Sequence, residues 1–166
     1  MRFLTHFLFS VLGFLLFISL SDFLHYSISS YFPLNSMLIV LFFLFLGTAF
    51  PDIDTASSKI GRKVPFFLKP IQFIFKHRGF FHSVFAGFLI AYLISLIAPI
   101  AYSLVFLMAY MLHILLDGFT VRGVKLFWPF PFRFKGQIRS GRIEESFLCL
   151  VFLALDIVLF FLLIGQ

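Results

Sequence analysis

Apolar residues run almost unbroken through five stretches, about Phe3 to Ser21, Tyr31 to Phe50, Phe80 to Ile97, Pro99 to Leu116 and Ser146 to Ile164, and polar residues collect between them. Each stretch approaches the roughly 20 apolar residues with which an α-helix crosses a bilayer. The pattern predicts an all-α protein, a polytopic transmembrane helical bundle of about five spans forming a single integral membrane domain over residues 1–166. Pro33 and Asn35 interrupt the second stretch, so its strong helical part is Ser36 to Phe50. The third and fourth meet at Ala98-Pro99 with almost no external loop, and proline suits the first turn of the helix that follows. Arg2 before an apolar run has the look of a secretory signal, but no small-x-small cleavage site follows Ser19-Leu20-Ser21, and the stretch is read as the first span.

Composition reinforces the pattern. With 61% apolar residues, 12% charged residues and 29 Phe in 166 positions, the chain carries more apolar surface than one soluble core of this size can bury. Cys149 is the single cysteine and lies in an apolar run. One chain can therefore build neither a disulfide framework nor a thiolate metal site.

The 13 Lys and Arg residues add an orientation. Arg2 lies at the start, six lie between spans two and three (Lys59, Arg62, Lys63, Lys69, Lys76, Arg78), and six lie between spans four and five (Arg122, Lys125, Arg133, Lys135, Arg139, Arg142). With five spans these segments share one face, which the positive-inside rule makes cytoplasmic together with the N-terminus. The net charge of +6 points to membrane lipids with anionic headgroups. Direct nucleic-acid binding is not expected, since no stretch resembles a soluble basic domain or an aromatic stacking platform. Lys63 to Lys76 mixes basic, aromatic and proline residues like a segment lying among headgroups. Phe130, Phe132 and Phe134 alternate with Pro131, Arg133 and Lys135, which predicts a short strand-like or interfacial hairpin.

Ionisable residues beside bilayer spans are costly, so their placement is informative. His6 is near the cytoplasmic start of span one, Asp52 and Asp54 follow span two, His77 and His82 flank the start of span three, and His113 and Asp117 close span four. Four separated segments thus bring His and carboxylate groups to one membrane face. His113 and Asp117 are four residues apart and project to the same side of a helix, where they can share a metal ion or simply hydrogen-bond. Pro51-Asp52-Ile53-Asp54 supplies oxygen ligands or ordinary turn chemistry. In His77-Arg78-Gly79-Phe80-Phe81-His82-Ser83, the glycine lets a turn aim both histidines inward. Imidazoles mixed with carboxylates and no thiolate suit a divalent Zn²⁺, Mn²⁺ or Fe²⁺ ion. Such an ion polarises an ester or phosphoryl oxygen, which permits hydrolysis without a Ser or Cys nucleophile.

Pro51-Asp52-Ile53-Asp54, Gly61, Lys69-Pro70, His77-Arg78-Gly79-x-x-His82-Ser83, His113-x-x-x-Asp117-x-x-Thr120-x-x-Gly123 and Trp128-Pro129 together resemble the membrane-bound metal-dependent hydrolases, also described as LexA-binding, inner-membrane-associated hydrolases. The resemblance covers about Met1 to Phe152. It implies a multi-pass protein of the cell membrane with a divalent-metal site, zinc foremost, held by His6, Asp52, His77, His82, His113 and Asp117. Glu145 resembles a carboxylate before the last span of that family, as a further ligand or general base, and Asp54 is a second candidate for the catalytic step. Phe81 and Thr55 depart from the pattern, standing where the family usually has Thr and often has His. A remoter similarity to zinc-dependent phospholipase C and P1-type nucleases, through His113 and Asp117, favours phosphoester substrates. Arg78, Lys125 and Arg133 are the candidate substrate-binding residues, because cations at the cytoplasmic face gather anionic headgroups.

The expected activity is a metal-dependent hydrolase acting on phospholipid or another phosphoester. The alternative is a membrane scaffold docking a cytosolic protein partner such as a LexA-type repressor, and a small ion or proton transporter ranks third. Asp22 and His25 are expected to be solvated outer-loop groups. Asp156 lies inside span five, about 16 Å from Glu145 along a helix. It is read either as a carboxylate at the outer interface or bonded within the bundle, or as part of a relay.

Overall fold

A computed structural model describes residues 1–26, 28–54 and 79–164. Five α-helices are present among the described residues: α1 (Phe3–Phe23), α2 (Met37–Ala49), α3 (Val84–Ser95), α4 (Ile100–Gly118) and α5 (Ile143–Ile164). No strand is present among them, in keeping with the all-α expectation. Three helices are long and apolar enough to cross a membrane, Phe3–Phe23, Ile100–Gly118 and Ile143–Leu163.

The other two are shorter than the apolar runs that predict them. With 13 and 12 residues, α2 and α3 rise only about 20 Å each. The chain lengthens both with 3-10 turns, Leu34–Ser36 before α2, Phe50–Asp54 after it and Phe80–His82 before α3. Pro33 and Pro51 account for two of these breaks, since proline lacks the N–H that an α-helical ladder needs. The tighter turns carry Asp52 and His82, so irregular backbone falls where polar side chains must be aimed inward.

The central helix is α4, which packs against α1, α2 and α3, while α5 packs chiefly on α1. Close approach makes this possible. A Cβ on Gly47 would lie 2.8 Å from the Cβ of Ala109, so only glycine lets α2 seat against α4. Two apolar clusters flank the helix. One joins Phe14, Ile18, Val40, Leu44, Val105 and Ala109, and the other joins Ala86, Ala91, Phe106, Tyr110 and Ile114. Small hydroxyls stitch the helices. Thr48 Oγ1 donates to Ser10 Oγ at 3.0 Å, linking α2 to α1, and Ser103 Oγ donates to the Ala91 carbonyl at 2.5 Å, linking α4 to α3.

The connection from Phe119 to Arg142 folds over the end of the bundle where Arg2 also lies. It forms isolated bridges and no extended strand: Val124 pairs antiparallel with Phe134, each N–H donating to the other's carbonyl as in a hairpin, and Thr120 pairs parallel with Ile138. Pro129 and Pro131 each remove a ladder donor, which keeps the alternating Phe130, Phe132 and Phe134 from extending into strands. All three rings are exposed. Gly123 adopts φ +62°, and its N–H donates to Thr120 Oγ1.

Candidate metal centre

Four elements bring their ionisable groups together. His6 comes from the second turn of α1, Asp52 from the 3-10 turn after α2, His82 from the 3-10 turn before α3, and His113 and Asp117 from the last turns of α4. All three histidines and Asp117 are buried, whereas the Asp52 side chain keeps 19% of its surface exposed. His6 Nε2 lies 3.3 Å from Asp117 Oδ1, and His82 Nε2 lies 3.7 Å from Asp117 Oδ2 and 4.0 Å from Asp52 Oδ1. The rings of His6 and His113 stack at 4.0 Å, and that of His82 meets His113 edge-on at 5.7 Å.

Two overlapping groups offer ligand atoms that all lie within 4.8 Å of one another, His6 with His113 and Asp117, and Asp52 with His82 and His113. His113 belongs to both. Neither of its ring nitrogens has a hydrogen-bond partner among the described residues, nor has His6 Nδ1. A buried imidazole nitrogen without a partner loses its hydration for nothing. Three imidazoles, two carboxylates and no thiolate match the donor preference of Zn²⁺ and its neighbours. Burial pushes the Asp52 carboxyl above its ordinary range, against the opposing pull of His82 and His6.

The surrounding structure holds these groups in place. Ser83 caps α3, accepting from the Ala86 N–H, and the Val84 N–H donates to the Leu126 carbonyl, which ties the His82 turn to the 119–142 connection. Tyr110, one turn before His113, donates its hydroxyl to the Phe81 carbonyl at 2.6 Å. Trp128 packs edge-on against Phe80. Thr120 donates to the Asp117 carbonyl at 2.6 Å, closing the end of α4.

Glu145 is fully buried, but neither group capable of holding an ion includes it. Its carboxylate accepts from the backbone N–H of Arg2 and of Gly141 and from Thr5 Oγ1. These donors make it an anchor that fastens the start of α1 to α5. The Asp117 carboxylate also has the amino group of Met1 3.5 Å from Oδ1.

His77 and Arg78 lie outside the described residues, as do Thr55, Gly61, Lys69 and Pro70 and the side chain of Asp54. Lys125 is half-buried, and Arg133 is exposed with its guanidinium donating to the Arg122 carbonyl. Tyr110 and Thr5 were not singled out in the sequence. Tyr110 could have been found as the polar group one turn before His113, and Thr5 as the hydroxyl adjoining His6. His25 is exposed in a left-handed conformation, φ 61°. Asp156 is buried, and neither carboxylate oxygen has a hydrogen-bond partner among the described residues, so it is not hydrogen-bonded within the described bundle.

Residues 1–165 match the family model described as YdjM inner membrane protein. Inner membrane protein YdjM of Escherichia coli (strain K12) is 35% identical over 109 residues, 60% of this chain and 56% of that protein. Uncharacterized protein YvsG of Bacillus subtilis (strain 168) is 34% identical over 106 residues, 61% of this chain and 65% of that protein. The match thus spans between 56% and 65% of the length of these curated relatives. No solved structure matches. The apolar helices and the family agree, and the chain is a membrane protein belonging to the YdjM inner membrane protein family.

Proposed function

We propose that this chain is a membrane-bound metal-dependent hydrolase whose site faces the cytoplasm and acts on phospholipid or another phosphoester. The observation that carries the reading is the convergence of His6, His82, His113, Asp52 and Asp117 from four elements, with His6 Nδ1 and both His113 ring nitrogens lacking a hydrogen-bond partner among the described residues. His6, His113 and Asp117 would hold the ion, with His82 and Asp52 completing the set. When bound, a divalent ion supplies Lewis-acid polarisation of an ester or phosphoryl oxygen.

The chain's own residues do the rest. Asp52, the most accessible of the five, would close the donor set on the side that water can reach. The apolar clusters around α4 exclude bulk water from the inner wall. Lys125 and Arg133, on the connection that ties down the His82 turn, attract phosphate-bearing headgroups.

Metal analysis of the purified protein tests the proposal. At least one tightly held divalent ion per chain is expected, lost in His113→Ala, and the loaded protein is expected to cleave phosphoester bonds in a vesicle-borne lipid. Wild-type protein that takes up no divalent ion at micromolar concentration would overturn it.

The exposed aromatic and basic connection between Phe119 and Arg142 favours a second reading, a scaffold that docks a cytosolic protein. There, reversing the charges of Arg133, Lys135 and Arg139 would abolish the cellular role and Asp52→Asn would leave it intact.

A further inference from the structure

The five donors of the proposed metal centre do not gather about one point. Ligands of a single Zn²⁺, each about 2.0–2.2 Å from it, lie no more than about 4.4 Å apart. Among the described residues, His6, His113 and Asp117 form one compact group, and Asp52, His82 and His113 form another. His6 belongs only to the first of these, and His82 and Asp52 only to the second. His113 therefore stands between two half-sites.

Asp117 joins the halves. Its two carboxylate oxygens face different imidazoles, with Oδ1 3.3 Å from His6 Nε2 and Oδ2 3.7 Å from His82 Nε2. At zinc bond lengths two donors of one tetrahedral ion are about 3.4 Å apart, so each oxygen is spaced to share an ion with its own imidazole. The same Nε2 of His82 has Asp52 Oδ1 at 4.0 Å. A carboxylate that offers one oxygen to each of two ions suits the separation of about 3.5–4 Å found in two-metal sites.

We infer that His82, Asp52 and Asp117 Oδ2 form a second metal site beside the one held by His6, His113 and Asp117 Oδ1, an inference that rests on the metal-centre reading proposed above. Asp117 bridges the two ions. Each ion then has three protein donors, the number that leaves a position open for water or substrate. The first set contains two imidazoles and one oxygen and is the tighter for Zn²⁺, whereas the second contains one imidazole and two oxygens and fills last. Its Asp52 lies at the accessible edge of the cluster, so the second ion enters and leaves from that side.

Zinc titration of the metal-stripped full chain in neutral maltoside micelles, read by elemental analysis and by zinc X-ray absorption fine structure, tests the inference. Wild type is expected to hold two zinc ions per chain, with zinc-to-zinc scattering at about 3.5–4 Å. Asp52→Asn, which keeps the side-chain size, and His82→Ala are each expected to retain one ion and lose that scattering. His25→Ala removes an exposed imidazole beyond the far end of α1 from His6, and it is expected to keep both ions. One zinc per chain in wild type would overturn the inference and leave the hydrolase reading standing, whereas no zinc at all would overturn both. Two ions without zinc-to-zinc scattering would overturn it as well. So would loss of the second ion in His25→Ala, which makes that ion adventitious, or two ions retained in both Asp52→Asn and His82→Ala. The wild-type measurements decide even if a variant does not fold. Two bridged ions without phosphoester cleavage would refute only the hydrolase reading.

Discussion

Tyr110→Phe separates the work of one hydroxyl from the work of the ring that bears it. Tyr110 is fully enclosed, and its hydroxyl donates to the carbonyl of Phe81, the residue before His82. Phenylalanine keeps the ring in place against Phe106 and beneath Gly87 and removes only that bond. Interhelical hydrogen bonds in membrane proteins contribute about 0.6 kcal/mol on average and about 1.7 at most, so the loss in stability is about 1 kcal/mol. Deleting the whole ring would cost about 3–5 kcal/mol. The proposed metal centre responds more strongly than the fold. Removing a group that orients a ligand typically weakens metal affinity about 10- to 100-fold, which is about 1.4–2.7 kcal/mol.

The assay is competition for Zn²⁺ against a fluorescent chelator in micelles, run beside thermal unfolding and repeated with His82→Ala. Tyr110→Phe is expected to lower the melting temperature slightly and zinc affinity at least tenfold. The double variant is expected to bind zinc no more weakly than His82→Ala alone, because both changes act through one imidazole. Unchanged zinc affinity in Tyr110→Phe, or fully additive losses in the double variant, would refute the reasoning.

Three further outcomes follow from the same geometry. Glu145→Gln removes one of the two carboxylate oxygens that the Arg2, Gly141 and Thr5 donors share; it should lower stability by about 1–3 kcal/mol and leave zinc stoichiometry at the wild-type value, whereas loss of bound zinc would make Glu145 a ligand. Gly47→Val forces new carbon atoms onto Ala109 and the backbone of α4, and thermal unfolding should show a cost of about 1–3 kcal/mol or more with no change in the donor set. Asp117→Asn leaves the packing of α4 intact but removes the charge that faces both His6 and His82, so chelator competition should show zinc affinity falling more than about 100-fold.

How far the sequence disclosed this arrangement follows from the kind of interaction each part rests on. Burial in a bilayer is written locally: runs such as Phe3–Phe23 and Ile143–Ile164 are apolar over their whole length, and nothing distant needs to be known to recognise them. The short helices were harder, because an apolar side chain reads the same in an α-helix and in a 3-10 turn. Pro33 and Pro51 marked where α2 gives way, yet the break before α3 depends on Ser83 taking an extended backbone and capping Val84 onward, which hydrophobicity does not record. The 119–142 connection misled for the opposite reason, since alternation of Phe with basic residues suggests a strand while its prolines deny the ladder. In the site, His113 and Asp117 were legible because one helix fixes their relation. His6 and His82 were legible only as members of a pattern, for their 3.3 and 3.7 Å approaches to the two oxygens of one carboxylate are set by three helices packing on α4. Glu145 shows the limit most clearly. Its charge and position suggest chemistry, and only the fold reveals that the backbone N–H groups of Arg2 and Gly141 already donate to it. A carboxylate satisfied by backbone donors serves architecture, whatever chemistry its place in the sequence suggests.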